Sequence, residues 1–382
     1  MNIQELELAA QDKTRISGLT HNFYRYPARF SPTFAATAIQ QFSNPGDLIL
    51  DPFMGGGTSV IESILHGRNV IGTDLNSLAV FITRAKTSVL SKTEVGMIRT
   101  WLDEIAPQLS FHKSVYQDFD ILKTKNLNIP RARFIKKIIA QVMTYVQDMK
   151  GLKVKRFIKC VLLKTAQWAL DGRRTQVDVR HFCDKFTQNV LKMLVQIKDF
   201  ETCIHSRSHH IPLRWLRQID ACRIHTLPIF SKKKLKVDLV VTSPPYPGLH
   251  VLYHRWQVDG RKESPAPYWI AECQDGQGDA FYNFGSRHQK NYQTYFDKSL
   301  AALKSIRSVM RDGAYIVQLV AFREPEINFP RYLTNMKLAG FEETNYDGSD
   351  RIWRSVPNRK WHASLQAESQ SSKEVVLVHQ AT

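Results

Sequence analysis

The sequence predicts an α/β protein, a Rossmann-like sheet of mostly parallel strands carrying a large basic helical insertion, and three observations predict it. An apolar run over residues 47–51 breaks into a glycine loop, Asp51-Pro52-Phe53-Met54-Gly55-Gly56-Gly57-Thr58; a helical pattern over 59–65 then leads to a second strand over 69–75. A third run, Val240-Val241-Thr242, stops at the rigid tetrapeptide Ser243-Pro244-Pro245-Tyr246. Residues 112–236 hold 27 of the 53 lysines and arginines against 9 acidic residues, while the remainder carries 26 of each sign, so the whole net charge of +18 lies in that segment.

Each element has a local reason. The glycines let a ligand approach the backbone and leave the first amides of the following helix free to meet it. Asp74, at the tip of the second strand, is placed to reach the hydroxyls of a bound nucleoside. The loop is not G-x-G-x-x-G, and no G-x-x-x-x-G-K-[ST] occurs, which counts against nicotinamide and nucleoside triphosphate binding. Next, Phe134, Ile138, Val142 and Val146 recur every fourth residue, a stripe that Gly151 ends. Val154, Phe157, Ile158 and Val161 begin a second stripe, and Phe182, Phe186, Val190 and Leu194 a third. Three amphipathic helices are expected to pack together with basic faces outward, tracking phosphates or merely solvated. Asp171-Gly172-Arg173-Arg174 reads as a turn between two of them, with Arg173 and Arg174 as candidates for a nucleic-acid groove.

Downstream, His205, His209 and His210 lack a companion thiol or carboxylate at ligand spacing and read as a loop, not a zinc site. Lys232, Lys233 and Lys234 precede the third run, either as a solvated loop or as a hold on phosphates near the site. Residues 247–292 lose periodicity and are rich in glycine and aromatics, a possible lid or recognition loop. Their rings suit base stacking or a local cap, and His254 and Arg255 are candidates to face a target strand. A helix over 295–310, a strand over 313–320, a helix over 330–339, a strand from Phe341 and a hairpin of 349–359 with 374–379 are expected to complete the sheet.

Residues 1–111 and 215–382 thus form two halves of one catalytic domain, and 112–214 the basic insertion, the candidate target-recognition and DNA-binding module, with 247–292 as second contender. No run approaches the ~18 apolar residues of a membrane span, and the first twelve residues lack a signal pattern, so a cytoplasmic protein without membrane contact is expected. Cys160, Cys183, Cys203, Cys222 and Cys273 stand singly, suggesting neither a disulfide framework nor a metal site.

Taken in order, these motifs resemble the S-adenosylmethionine-dependent DNA amino-methyltransferases, which methylate exocyclic amines of cytosine or adenine. The resemblance covers roughly residues 20–90 and 215–380 and rests on residues 51–58, on Ser243-Pro244-Pro245-Tyr246, on Tyr26-Pro27-Ala28-Arg29-Phe30-Ser31-Pro32 and on Asp220-Ala221-Cys222-Arg223. Tyr26 stands where the family carries histidine, and Cys222 interrupts its D-A-R element. The resemblance implies a seven-stranded class I methyltransferase sheet and S-adenosylmethionine as methyl donor. It assigns Asp51, Pro52, Phe53, Gly55, Gly57 and Thr58 to the methionine end of that cofactor, with Tyr26, Pro27 and Phe30 closing over it. Asp74 is assigned to the ribose, and Asp220 with Ala221 to the adenine.

It further implies that Ser243 and the Pro244 carbonyl accept hydrogen bonds from the target amine, that Pro245 stiffens the turn, and that Tyr246 stacks on a flipped base. Serine in the first position resembles the cytosine-N4 enzymes. Double-stranded DNA is the expected partner, with a cognate restriction endonuclease or defence component as a possible second. No metal is called for, and no proline-cysteine pair offers the nucleophile of ring-carbon methylation. The alternatives are adenine-N6 methylation, an RNA base as substrate, and a DNA-binding protein retaining a degenerate cofactor fold.

Overall fold

The computed structural model describes residues 2–382 except 13, 15–17, 28–30, 114–120, 131, 176, 208–210, 248–254, 261, 277–281, 286–291, 323, 345–350 and 356–372. Phe30, His209, His210 and His254 lie outside the described residues. The strands are β1 (Leu48–Asp51), β2 (Asn69–Asp74), β3 (Arg214–Gln218), β4 (Val237–Thr242), β5 (Trp256–Val258), β6 (Lys262–Ser264), β7 (Met310–Val320), β8 (Phe341–Glu343), β9 (Trp353–Ser355) and β10 (Lys373–Ala381). The helices are α1 (Ile3–Gln11), α2 (Pro32–Phe42), α3 (Thr58–Leu65), α4 (Ser77–Lys86), α5 (Lys92–Ile105), α6 (Arg133–Gln147), α7 (Leu152–Leu170), α8 (Val179–Arg207), α9 (Pro228–Ser231), α10 (Ala266–Ala271), α11 (Gln293–Val309) and α12 (Pro325–Leu338).

Seven strands run in the order β3-β2-β1-β4-β7-β10-β8, and β9 shares the outer edge of β10 with β8. The pairings from β3 to β7 are parallel, and β10 is antiparallel to both neighbours. This is the Rossmann-like sheet of mostly parallel strands expected from the sequence. Alternation along the strands divides the core in two. Ile49, Val70, Leu239, Val241, Val317 and Leu319 face one layer, and Leu48, Leu50, Ile71, Val240, Ile316 and Val320 face the other. The second layer is built from α9, α11, α12 and the 3-10 turn Ala221–Thr226.

The insertion enters between β2 and β3, and its three long helices are α6, α7 and α8. Its apolar residues belong to the same continuous core as the first sheet face. Helix α7 also grips the amino-terminal segment: the Gln167 side chain bonds the Arg25 amide and carbonyl at 3.1 and 3.0 Å, and Lys164 donates to the Asn22 carbonyl. The basic faces are only partly outward. Lys136 and Lys159 are buried, donating to Asn128 at 2.8 Å and pairing with Glu272 at 2.5 Å.

Boundaries differ from expectation where glycine and proline serve the following helix. Gly151, at φ 89°, is the N-cap of α7, whereas α6 already ends at Gln147. Helix α12 begins at Pro325, and Pro330 falls inside it, where it forfeits one i→i−4 backbone bond. Residues 247–292 are structured where described: β5 and β6 form a hairpin, and α10 packs on α7 and α4. Trp256 and Tyr268 are fully buried there, so these rings are core and not stacking platforms. No described helix is long and apolar enough to cross a membrane.

Candidate active site

A cleft opens beyond the carboxyl ends of β1, β2 and β4, where the strand order reverses. Its space, about 710 Å³, includes the open solvent at its mouth. It is lined by Tyr26, Pro27, Pro52, Phe53, Gly55, Asp74, Leu75, Asn76, Asp220, Ala221, Tyr282, Phe284 and all four residues Ser243, Pro244, Pro245 and Tyr246.

The glycine loop is shaped from below. Asp51, 1% exposed, accepts from the Phe53 amide at 3.1 Å, from Thr242 Oγ1 at 2.7 Å and from Ser59 Oγ, tying β1 to its own loop, to β4 and to α3. Burial pushes its carboxyl up to about 6 against those hydrogen bonds. Asp51, Gly57 and Thr58 lie beneath the cleft and not on its wall. Gly57, at φ 78°, caps α3 where a β-carbon would meet Thr83 at 2.6 Å. A β-carbon on Gly55 would stand 3.2 Å from the Tyr26 ring, so the open space over this loop depends on glycine.

Asp74 closes the next strand and faces the cleft. It accepts from the Gly55 and Asn76 amides, each at 2.8 Å, and burial pushes its carboxyl up to about 6, with Asp51 adding to the shift. Asn76 caps α4 through the Leu78 amide, donates to the Tyr26 hydroxyl at 3.0 Å and accepts from Tyr268 at 3.0 Å. This chain fixes the rim. Two residues past the neighbouring strand β3, Asp220 caps the 3-10 turn through the Cys222 amide at 2.9 Å.

The tetrapeptide is held from behind. Ser243 Oγ lies 3.0 Å from the Leu319 carbonyl and 2.9 Å from the Tyr246 hydroxyl, which reaches Glu374 at 2.9 Å. Arg354 holds the other oxygen of Glu374 at 2.7 Å. Tyr295 donates to the Pro245 carbonyl at 2.8 Å, whereas the Pro244 carbonyl takes no hydrogen bond among the described residues. Phe284, at φ 60°, sets its ring edge-on to Phe53 at 5.6 Å and so covers one end of the cleft.

The candidate nucleic-acid residues scatter. Lys232, Lys233 and Lys234 precede the amino end of β4, and the tetrapeptide follows its carboxyl end. A six-residue strand separates them, roughly 20 Å at 3.3 Å per residue, so the run does not flank the site. Arg173 is half-buried, donating to the Trp168 carbonyl at 2.7 Å with its guanidinium 4.9 Å from that ring, while Arg174 is exposed. Arg255 pairs with Asp275 and Glu263. His205 lies in the last turn of α8, not in a loop.

Leu75, Asn76, Tyr282 and Phe284 join the site without having been expected there. Asn76 had a signal, an Asn directly before a helical stripe. The two rings lie in a stretch whose periodicity gives no direction, and Glu374 stands 128 residues from the tyrosine it holds.

A protein-family model described as DNA methylase matches residues 8–84. The Type II methyltransferase M.MvaI of Kocuria varians is 25% identical over 257 residues, covering 61% of this chain and 54% of that protein. The Type II methyltransferase M1.MboII of Moraxella bovis is 46% identical over 58 residues, 15% of this chain and 21% of its own. The DNA adenine methyltransferase YhdJ of Escherichia coli (strain K12) is 33% identical over 121 residues, 28% and 41% of the two chains. The chain therefore spans about half the length of M.MvaI and less of the others.

Proposed function

We infer that this chain, which belongs to the S-adenosylmethionine-dependent DNA amino-methyltransferase family, transfers a methyl group to the exocyclic N4 amine of a cytosine flipped out of duplex DNA. The observation that carries this reading is one cleft holding both carboxylates expected of a nucleoside site, Asp74 and Asp220, together with the Ser243-Pro244-Pro245-Tyr246 turn. The donor set fits S-adenosylmethionine: two carboxylates at the ends of the adjacent strands β2 and β3 for ribose hydroxyls and an adenine amine, apolar Phe53 and Phe284 in the same cleft, and backbone left open over Gly55.

S-adenosylmethionine supplies an activated methyl group on a sulfonium. The chain's own task is to make a poor nucleophile attack in line, because the lone pair of an exocyclic amine is delocalised into its ring. The Pro244 carbonyl and Ser243 Oγ accept the amine hydrogens, favour a pyramidal nitrogen and aim its lone pair. Tyr295 occupies the neighbouring Pro245 carbonyl, leaving that of Pro244 for substrate. The two prolines hold this geometry before substrate arrives, which lowers the ordering cost. The Tyr246 ring is the stacking surface, its hydroxyl anchored by Glu374 and Arg354. Segment 247–292, with Arg174 exposed beside its hairpin, is the proposed target-reading surface; a β-carbon on Gly260 would lie 3.7 Å from Arg174.

Incubation with unmethylated genomic DNA or total RNA and labelled cofactor, followed by nucleoside mass spectrometry, tests the reading. N4-methylcytosine in DNA is the expected product. N6-methyladenine would overturn the base assignment and keep the mechanism, and label in RNA alone would replace DNA as substrate. Ser243→Ala should lower kcat by at least ~100-fold while cofactor affinity holds; turnover near wild type would remove the tetrapeptide from catalysis.

A further inference from the structure

A second, larger hollow lies outside the active cleft, between α4, α7 and the end of β3, with about 1,360 Å³ of space reaching to solvent. Arg84, Lys155, Arg156 and Lys159 line it, and Glu272 is the acidic residue among its walls. Both Glu272 oxygens are already taken, by Lys159 at 2.5 Å and by Gln147 at 2.7 Å. Lys155 donates to the Gln147 carbonyl at 2.7 Å and Arg84 to the Leu216 carbonyl at 2.8 Å. Arg156, half-buried, makes no hydrogen bond or ion pair among the described residues.

Arg214 and Arg217 on β3 add to this group: Arg214 donates to Ser88 at 3.0 Å and Arg217 to the Leu216 carbonyl at 3.0 Å. Four guanidinium groups are thus gathered with neutral partners or none. Partial burial, and then their mutual repulsion, make Arg84, Arg156 and Arg214 easier to deprotonate than a free arginine. A fold gains nothing from crowding cations that have no counter-ion, so the arrangement calls for an external anion.

Its position says which anion. Ser77 and Gln218 line the hollow, while Asn76, the neighbour of Ser77, and Asp220, two residues past Gln218, line the active cleft. Residues adjacent or close in the chain thus line the two openings. We propose that this trough is a phosphodiester site, in which Arg156 and Arg84 hold the backbone of the nucleic-acid strand flanking the flipped base. The proposal rests on DNA being the substrate.

Anisotropy titration of a labelled DNA duplex across a salt series tests it, with Arg156→Gln, the Arg84→Gln/Arg156→Gln pair and Arg156→Lys as variants. Arg156→Gln should weaken binding ~5-fold and lower the slope of log K against log salt by about 0.9, the value for one phosphate no longer neutralised. The pair should weaken binding more, Arg156→Lys should keep the slope, and cofactor affinity by calorimetry should not move. Unchanged affinity and slope in a chain that still methylates DNA would overturn the trough and leave the methyl transfer standing. A defect confined to tripolyphosphate binding would make it a small-anion site and overturn it equally. A wild-type chain that neither binds nor labels DNA would sink both readings, and the label assay reports that failure separately.

Discussion

The tips of β1 and β2 end in the same residue, sit side by side in a parallel sheet and carry carboxyls pushed by burial to about 6, yet they are built for different work. Asp51 turns inward and accepts hydrogen bonds from three elements, the loop amide of Phe53, Thr242 of β4 and Ser59 of α3. Asp74 takes two backbone amides, from Gly55 and Asn76, and faces the cleft. A carboxylate has about four acceptor sites, so Asp74 keeps capacity for a ligand. Asp51 is therefore a keystone that shapes the site, and Asp74 lines the cleft where the proposed ligand contact requires it.

The largest expected effect breaks that keystone. Asp51→Ala leaves buried Ser59 and Thr242 and the Phe53 amide without an acceptor, and should cost ~2–4 kcal/mol. Thermal melting of the cofactor-free protein would show it. A variant that melts like wild type and only loses cofactor would erase the distinction, since Asp51 would then be a ligand residue.

Asp74→Asn should do the reverse. Cofactor affinity should fall ~10–100-fold by calorimetry through loss of charge-assisted hydrogen bonds, while the cofactor-free protein gives up one of the two amide bonds to this side chain, because the asparagine nitrogen cannot accept. The pH dependence sharpens this. Because burial raises the Asp74 carboxyl from 3.8 to about 6, its contribution to stability is fully present below 3.8 and is lost as pH rises through about 6. Asparagine bears no such loss, so the melting difference between variant and wild type should shift in the variant's favour as pH rises from 4 to 8. A melting difference that stays the same from pH 4 to pH 8 would overturn the raised carboxyl and leave Asp74 with a structural role like that of Asp51.

This contrast marks what the sequence could reveal. Strand tips, glycine loop and tetrapeptide were legible because each is local: an apolar run must break somewhere, and Gly57 or Pro244 announces where. Which way Asp51 points was not, because its direction depends on Thr242, 191 residues away. Glu374 behind Tyr246 and α7 gripping Arg25 were hidden for the same reason. Charge misled in a related way. The segment counted as uniformly basic holds Lys159 buried against Glu272, Arg173 laid on Trp168 and a lysine run on the far rim, whereas Arg84, outside that segment, meets Arg156 in space. Composition reports how many cations there are, and tertiary packing decides which remain for a partner.

Asp220 is the third carboxylate and the mildest test, because it combines both roles. It caps the 3-10 turn through the Cys222 amide at 2.9 Å and lines the cleft. Asparagine caps a helix about as well as aspartate, so Asp220→Asn should leave stability within ~0.5 kcal/mol. The amide still offers an oxygen but no charge to an adenine amine, so cofactor affinity should weaken only ~3-fold, and Asp220→Ala should weaken it further while also loosening the turn. A drop with asparagine as large as that at Asp74 would place the cofactor's main polar anchor on this wall and reverse the order of the two carboxylates.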